Sequence, residues 1–419
     1  MSLTPHEYYL NHYPYNELVE LLTRNGDDLA NCEFAIEGKT AQGDKVYKRY
    51  VSARNAAELR TLVSRFTGVK AFHFGAFYSN GSGRNAVKNG ESVPVRRVLS
   101  FDIDLTDLEF LKLKDDNGAI SLEKCDAAYP VSAAAAYILR RVLQHAFGFT
   151  ELLIVYSGRR GVHVHVFDER AMSLSDEARS GVLDYVNCNM QKTDTHAPAG
   201  VRLMMDLHGL RNEVYRAFHT YIVGELGLLE ESSGRVAFLE RLNLSSYEGW
   251  DKFEPTLSPL ASDVTRVDKF PTGSDAWAHI EDRIRSTGLE WMCERLDCVV
   301  LAHVWPRLDE AVTRSTAHLT KAPFSCHAAS GRVAATMGTS RRSIYSFKPS
   351  GCAPSLQDWD QPTMDAAVAH FRVSRPPNAG ANAGADVDME DAVQSSACPR
   401  FKRKASPLAT LVYPEKGGA

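Results

Sequence analysis

Residues Val98–Leu105 read VLSFDIDL. At period two, one face of this stretch is Leu99, Phe101, Ile103 and Leu105, wholly apolar; the other is Val98, Ser100, Asp102 and Asp104. The alternation predicts a strand that buries its first face and points two carboxylates the same way. Residues i and i+2 of a strand lie roughly 6.5–7 Å apart, near enough for both carboxylates to serve one metal ion or to bridge two. Hard oxygen donors select Mg²⁺ or Mn²⁺. Two aspartates on a solvated strand face leave the same pattern, so both readings stand on this stretch alone.

Working outward, Tyr156–Asp168 reads YSGRRGVHVHVFD. Ser157–Gly161 is a tight turn between two apolar strands, with Gly158 and Gly161 supplying unusual backbone angles. It sets Arg159 and Arg160 side by side. Guanidinium forks and the Ser157 hydroxyl suit the oxygens of a triphosphate. On the following strand Val162, Val164 and Val166 face one way, His163 and His165 the other. A His-x-His zinc site and an exposed basic hairpin tip are competing readings, but no further ligand stands close enough in sequence to support zinc. Phosphate binding by Ser157, Arg159, Arg160 and His163 is preferred. A third segment, Trp305–Val333, holds Asp309 beside Arg307, and Lys321 and His327 on either side of Pro323 and Phe324. Alone, Asp309 reads more readily as half of an ion pair.

The rest of the 419-residue chain has ordinary globular composition, with 44% apolar and 24% charged residues. That excludes a wholly disordered, collagenous or coiled-coil chain. The net charge of -4 lacks the global basic balance of a nucleic-acid binder, yet the average hides a segregation. Lys39–Val98 carries 12 Lys/Arg against 3 acids, a net of +9; the remainder, 36 against 49, sums to -13. A local basic field attracts polyanions even on an acidic protein, although a solvated charge-rich surface has the same composition. No apolar run reaches a membrane span, and the N-terminus lacks a signal-peptide pattern. Eight scattered Cys without a CxxC predict reduced thiols in cytosol or nucleus.

The spacing predicts a helical first 25 residues and strands over Lys45–Val51, Ala71–Tyr78, Arg97–Leu105, Glu151–Tyr156 and Val162–Phe167. It predicts helices over Ala56–Phe66 and Val131–Phe147. Residues 173–299 read as mostly helical, as in Leu210–Glu230 and Ser274–Arg295. From 373 to 419 the chain turns low-complexity (PPNAGANAGA, then DVDMED) and is expected to be disordered. Arg400–Lys404, RFKRK, reads equally as a nuclear localisation patch and as a solvated basic tail.

Together the three blocks resemble the small catalytic subunit family of archaeal and eukaryotic replicative DNA primase, within the archaeo-eukaryotic primase superfamily. The resemblance rests on FDIDLTD (Phe101–Asp107), FGF followed by VYSGRRGVHVHVFD (Phe147–Phe149, Val155–Asp168) and PRLDEAVT, HLTKAPFSCH and GRV within Pro306–Val333. Weaker matches are EFAIEG at Glu33, VYKRYVS around Arg49, and GAFYS at Gly75. The implied fold is α+β: a mixed-sheet primase catalytic core over 1–172 and 300–372, with a helical subdomain over 173–299. The resemblance implies metal and catalytic roles for Asp102, Asp104 and Asp309. It implies nucleotide binding by Ser157, Arg159, Arg160, His163, Lys321 and His327, and less directly by Arg49 and Glu33.

The implied activity is template-directed synthesis of short RNA primers on single-stranded DNA from NTPs, by two-metal nucleotidyl transfer with Mg²⁺ or Mn²⁺, during replication. A dNTP-using primase-polymerase and a non-catalytic nucleic-acid-binding subunit are the alternatives. The resemblance also implies a large-subunit partner carrying an iron–sulfur cluster, assembly with the DNA polymerase alpha complex, and a nuclear location, with no membrane association. Two departures stand out. Relatives hold a structural zinc soon after the FDID strand, but Asp107–Val131 offers only Cys125 where zinc needs four ligands, so that site is expected to be lost or rebuilt. Many eukaryotic relatives carry Asp where this chain has His73.

Overall fold

In this computed structural model residues 2–108, 110–187, 205–206, 208–243, 260, 263–264 and 266–376 are described. The helical start is two helices, Pro5–Asn11 (α1) and Tyr15–Thr23 (α2). A Thr4–Glu7 capping box opens α1, and Pro14 separates it from α2. Cys32–Lys39 (β1), Lys45–Val51 (β2), Ala71–Tyr78 (β3) and Pro94–Arg96 (β4) form an antiparallel sheet in the order β2-β1-β3-β4. Ala56–Ser64 (α3), capped by Asn55, and the short Arg84–Lys88 (α4) lie in its connections.

The strand expected around the paired aspartates is Leu99–Asp104 (β5). With Leu152–Tyr156 (β6) and Gly161–Val166 (β7) it forms a second antiparallel sheet, in the order β5-β7-β6. A two-residue strand, Thr320–Lys321 (β8), returns to the first sheet, pairing with β3 through His73↔Lys321 and Phe74↔Thr320. The α+β class holds. Every pairing between these strands is antiparallel, so the mixed character lies in alternating helices and strands, not in strand direction.

Alternation decides where the second sheet's side chains go. Leu99, Phe101, Ile103, Val162, Val164 and Val166 are buried against one core with the long helix Leu122–Phe147 (α5). Each such burial contributes roughly 1.5–3 kcal/mol. The opposite face belongs to the core of α1, α2 and the first sheet, through Val98, Leu153, Val155 and Phe167. The polar positions of β5 and β7 therefore lie on the face that meets the first sheet.

α5 begins nine residues before the expected Val131. Ser121 caps the helix upstream and Pro130 sits inside it. An interior proline costs roughly 3 kcal/mol, which the buried face of α5, from Cys125 through Leu143, offsets. The expected helical region is helical where described, but its segments break differently. Leu210–Glu230 holds a short α-helix, Arg211–Ala217, running into a π-helix, Phe218–Glu225. Ser274–Arg295 is split at Gly288 into helices over Gly273–Ser286 and Glu290–Val304.

Residues Met1–Ala381 form one compact unit. Residues 188–204 and 244–259 of the expected helical subdomain lie outside the described residues. So does the expected disordered tail from 377 on, with DVDMED and RFKRK; Gln361–Ser374 is helix. No helix among the described residues is long and apolar enough to cross a membrane.

Candidate active site

β5 and β7 make the floor. Their register sets Asp102 opposite His163 and Asp104 opposite Gly161, and a one-residue slip would turn both aspartates into the core. Gly161 is required here: a Cβ on it would meet Ile103 O at 2.4 Å. The turn before it is closed by Ser157 N–H donating to Gly161 O (2.9 Å) and Gly161 N–H donating to Ser157 Oγ (3.0 Å). Gly158, at φ +94°, has the His327 Cβ and Arg332 O where its own Cβ would sit, at 2.8 and 3.0 Å. The Ser330 hydroxyl donates to Gly158 O at 2.6 Å. The Arg-Arg turn is thus held from behind by the 327–332 loop.

Asp309 reaches the floor from far along the chain. Leu308 bridges to Ile103, and Asp309 N–H donates to Asp102 O at 3.1 Å. Asp309 then caps the short helix Glu310–Arg314, accepting from Ala311 N–H at 3.0 Å. Thr313 pegs that helix to Ser100 O at 2.9 Å. Arg97, 1% exposed, donates to Val312 O (2.9 Å) and to Thr320 Oγ1 (2.7 Å), so one side chain ties both late-arriving segments together. Lys321 follows Thr320 on β8 and donates to Ser157 O at 3.0 Å.

These elements enclose a cavity of 340 Å³. Asp102, Asp104, Asp309, Ser157, Arg159, Arg160, His163, Lys321 and His327 all line it. Glu33 and Arg49 do not. They form a two-pronged ion pair beside it (2.8 and 3.1 Å), and Arg49 also donates to Ala317 O at 3.1 Å. His73 and His318 line the cavity without having been singled out as site residues from the sequence. Their signal was weak: His73 looks like an interior strand residue, and His318 gains meaning only from Lys321 three positions on. Arg97 looked like one basic residue among twelve. The expected pairing of His163 and His165 on one face holds, but His165 is fully buried and meets the Ser100 hydroxyl at 3.0 Å.

The electrostatics divide the cavity. Burial, with Asp104 and Asp309 beside it, pushes Asp102 up to about 7. Burial and the Lys321 ammonium hold His163 at about 3, so its 3.6 Å approach to Asp102 is a dipolar contact of a neutral ring. Burial, then Lys321, Arg159 and Arg160, hold His327 at about 4. Its Nδ1 accepts from Ala329 N–H at 3.2 Å, which assigns the proton to Nε2. Burial lowers Lys321 to about 8. Arg160 Nε stands 2.8 Å from both oxygens of Asp104, which also accepts from Thr106 N–H (2.8 Å) and Oγ1–H (2.7 Å).

As the side chains lie, no three or more His, Cys, Asp or Glu among the described residues are gathered closely enough to hold a metal ion. The three carboxylates all line the cavity, but Asp104 is turned to Arg160. Their donor set of hard oxygens fits a divalent cation. Cys125, the one cysteine in the Asp107–Val131 stretch, is 1% exposed within α5.

A family model described as DNA primase small subunit matches residues 101–339, more than half of the chain. The chain is 28% identical over 362 residues to the DNA primase small subunit of Schizosaccharomyces pombe, covering 83% of this chain and 75% of that protein. It is 25% identical over 350 residues to that of Saccharomyces cerevisiae, covering 78% of each. Over a shorter stretch of 91 residues it is 44% identical to the archaeal DNA primase small subunit PriS of Haloarcula marismortui, 21% of each chain.

Proposed function

The chain belongs to the DNA primase small-subunit family, and from that premise we propose that its cavity joins ribonucleotides into short RNA primers on single-stranded DNA by nucleotidyl transfer. The observation that carries this reading is the meeting of Asp102, Asp104 and Asp309 with Arg159, Arg160, Lys321 and His327 around one cavity. Nucleotidyl transfer needs both: anionic oxygens for cations, and cationic or N–H donors for a triphosphate.

Asp102, Asp104 and Asp309 would hold Mg²⁺ or Mn²⁺, which when bound supplies Lewis-acid activation of the attacking hydroxyl and charge neutralisation at the phosphates. The chain's own residues do the rest. Arg159 and Arg160 present forks to the non-bridging oxygens. Arg160 must exchange Asp104 for phosphate, and that exchange frees the carboxylate for a cation. Lys321 adds a half-buried positive charge where negative charge grows in the transition state. Neutral His327 donates through Nε2–H, while Ser157, whose Oγ already accepts from Gly161, shapes the turn as well as offering its hydroxyl proton. Glu33 and Arg49 act beside the cavity, not on its wall.

A small subunit works with a larger one, and we assign this chain a heterodimer with a primase large subunit, within an assembly containing DNA polymerase alpha in the nucleus. The test is a priming assay on single-stranded DNA comparing NTPs with dNTPs, with and without a co-purified large subunit. Dinucleotide and longer RNA products from NTPs are expected. Products from dNTPs alone would assign the chain to the primase-polymerase class.

A further inference from the structure

We infer that the exposed face of β2 carries the single-stranded template past the cavity, with Tyr47 as a platform on which a template base stacks. The inference rests on the primer-synthesis reading of the cavity and adds to it a place for the second substrate.

β2 reads KVYKRYV over Lys45–Val51. Tyr47 is 54% exposed in the middle of that strand, and Lys45 and Lys48 beside it are exposed as well. α4 packs against β2 and adds exposed Arg84 and Lys88. The neighbouring acids are largely spent. Glu37, opposite Tyr47 in the register, is held by Lys70 at 2.5 Å, and Glu33 is held by Arg49; Asp44 stands at the turn before β2. An aromatic ring left in water among cations is a poor protein contact, because the centres of protein interfaces are depleted of charge. It is what a groove for single-stranded nucleic acid needs: cations to follow the backbone and a π-face that accepts any base.

The face is also aimed at the cavity. Tyr47 stands opposite Glu37 and Arg49 pairs with Glu33, and these two acids are four positions apart on β1, so Tyr47 and Arg49 share a side. Arg49 donates to Ala317 O, and the next residue, His318, lines the cavity. A β-bulge between Phe34↔Val51 and Ile36↔Lys48 puts an extra residue into β2 at this point. It leaves Tyr50 at φ +61° with its N–H on Glu33 Oε1 at 3.2 Å. A left-handed tyrosine is a rare conformation, and bulges beside active sites re-aim a side chain. Here the side chain re-aimed is Arg49, with Tyr47 one step further out along the same face.

The experiment uses the full chain, a labelled oligo(dT) read by fluorescence anisotropy at several salt concentrations, and primer synthesis with the large subunit present. Tyr47→Ala is expected to weaken oligonucleotide binding about 5- to 100-fold, and Tyr47→Trp to hold it. Replacing Lys45 and Lys48 together by Gln is expected to flatten the salt dependence by up to about two ions. In primer synthesis the KM for template rises for Tyr47→Ala while the KM for nucleotide at saturating template does not follow it, a split a merely structural role would not produce. Unchanged oligonucleotide affinity in a Tyr47→Ala chain that still primes overturns the inference and leaves the function reading intact. Loss of the large subunit with full template affinity assigns the face to protein contact and equally overturns it. A wild-type chain that makes no primer overturns the reading beneath.

Discussion

Lys321 is where this molecule's chemistry and its stability pull apart. Lys321 is half-buried, and that burial brings it down to about 8 from an ordinary 10.5. The folded chain therefore binds fewer protons at this group than the unfolded chain between pH 8 and 10.5, so stability rises with pH across that window. Below pH 8 the group is charged and half-buried, and that costs stability. Lys321→Met is expected to raise unfolding stability at pH 7 by about 1–3 kcal/mol while removing activity, and its advantage should shrink as pH climbs above 8. Denaturant melts at pH 7 and 10 check this; a variant less stable than wild type at pH 7 contradicts it. In the free wild-type enzyme, kcat/KM for nucleotide should fall as pH rises through about 8, when Lys321 loses its proton. Two further substitutions test the other sides of the cavity. Asp102→Ala is expected to abolish dinucleotide synthesis with Mn²⁺, and full activity would end the carboxylate assignment. Arg160→Ala removes a charge-assisted bond worth about 1.5–3 kcal/mol, so the KM for nucleotide should rise some tenfold or more; an unchanged KM contradicts its phosphate role.

At the scale of elements, strands were the legible part. Alternation over Val98–Leu105 located β5 and the side its aspartates take, and the two glycines of Ser157–Gly161 located the turn before β7. Their value is steric and testable. A methyl on Gly161 meets Ile103 O at 2.4 Å, so Gly161→Ala should lower stability by about 1–3 kcal/mol and separate Asp104 from Arg160. Gly181→Ala, in the helix Asp176–Asn187 with nothing within 4 Å, should stabilise by about 0.5–1 kcal/mol. Thermal melts of the pair distinguish a tight crossing from general intolerance of glycine replacement. What could not be read locally was pairing. Asp309 looked like half of an ion pair because nothing near it in sequence announces the Leu308–Ile103 bridge. The helix expected over Val131–Phe147 runs back to Leu122 because a tertiary core, invisible to local propensity, offsets the interior Pro130. Glu33 and Arg49 were recognised through weak motif matches, which carry residue identity but not position, and they stand off the cavity wall.

At the scale of the whole molecule, the first helices close on a loop more than 300 residues away in sequence. Tyr8 and Tyr13 donate to Phe324 O (2.7 Å) and Pro323 O (2.8 Å), and Tyr9 accepts from Cys326 N–H at 3.0 Å. The first fifteen residues thus brace the loop between Lys321 and His327. Cys125 sits in the core rather than in a cysteine cluster, and elemental analysis of the purified chain is expected to find no stoichiometric zinc; one equivalent would show a rebuilt site. The Leu308–Ile103 bridge has a further consequence, in time rather than in space. A ribosome makes Asp104 205 residues before Asp309, and at roughly 5–20 residues per second that interval is about 10–40 seconds. Throughout it the nascent chain holds Asp102 and Asp104, joined by the Arg-Arg turn once Arg160 is made, but neither Asp309 nor Lys321. A chain that ends before Asp309 therefore lacks one of the three carboxylates that line the cavity, and is expected to make no product in a priming assay.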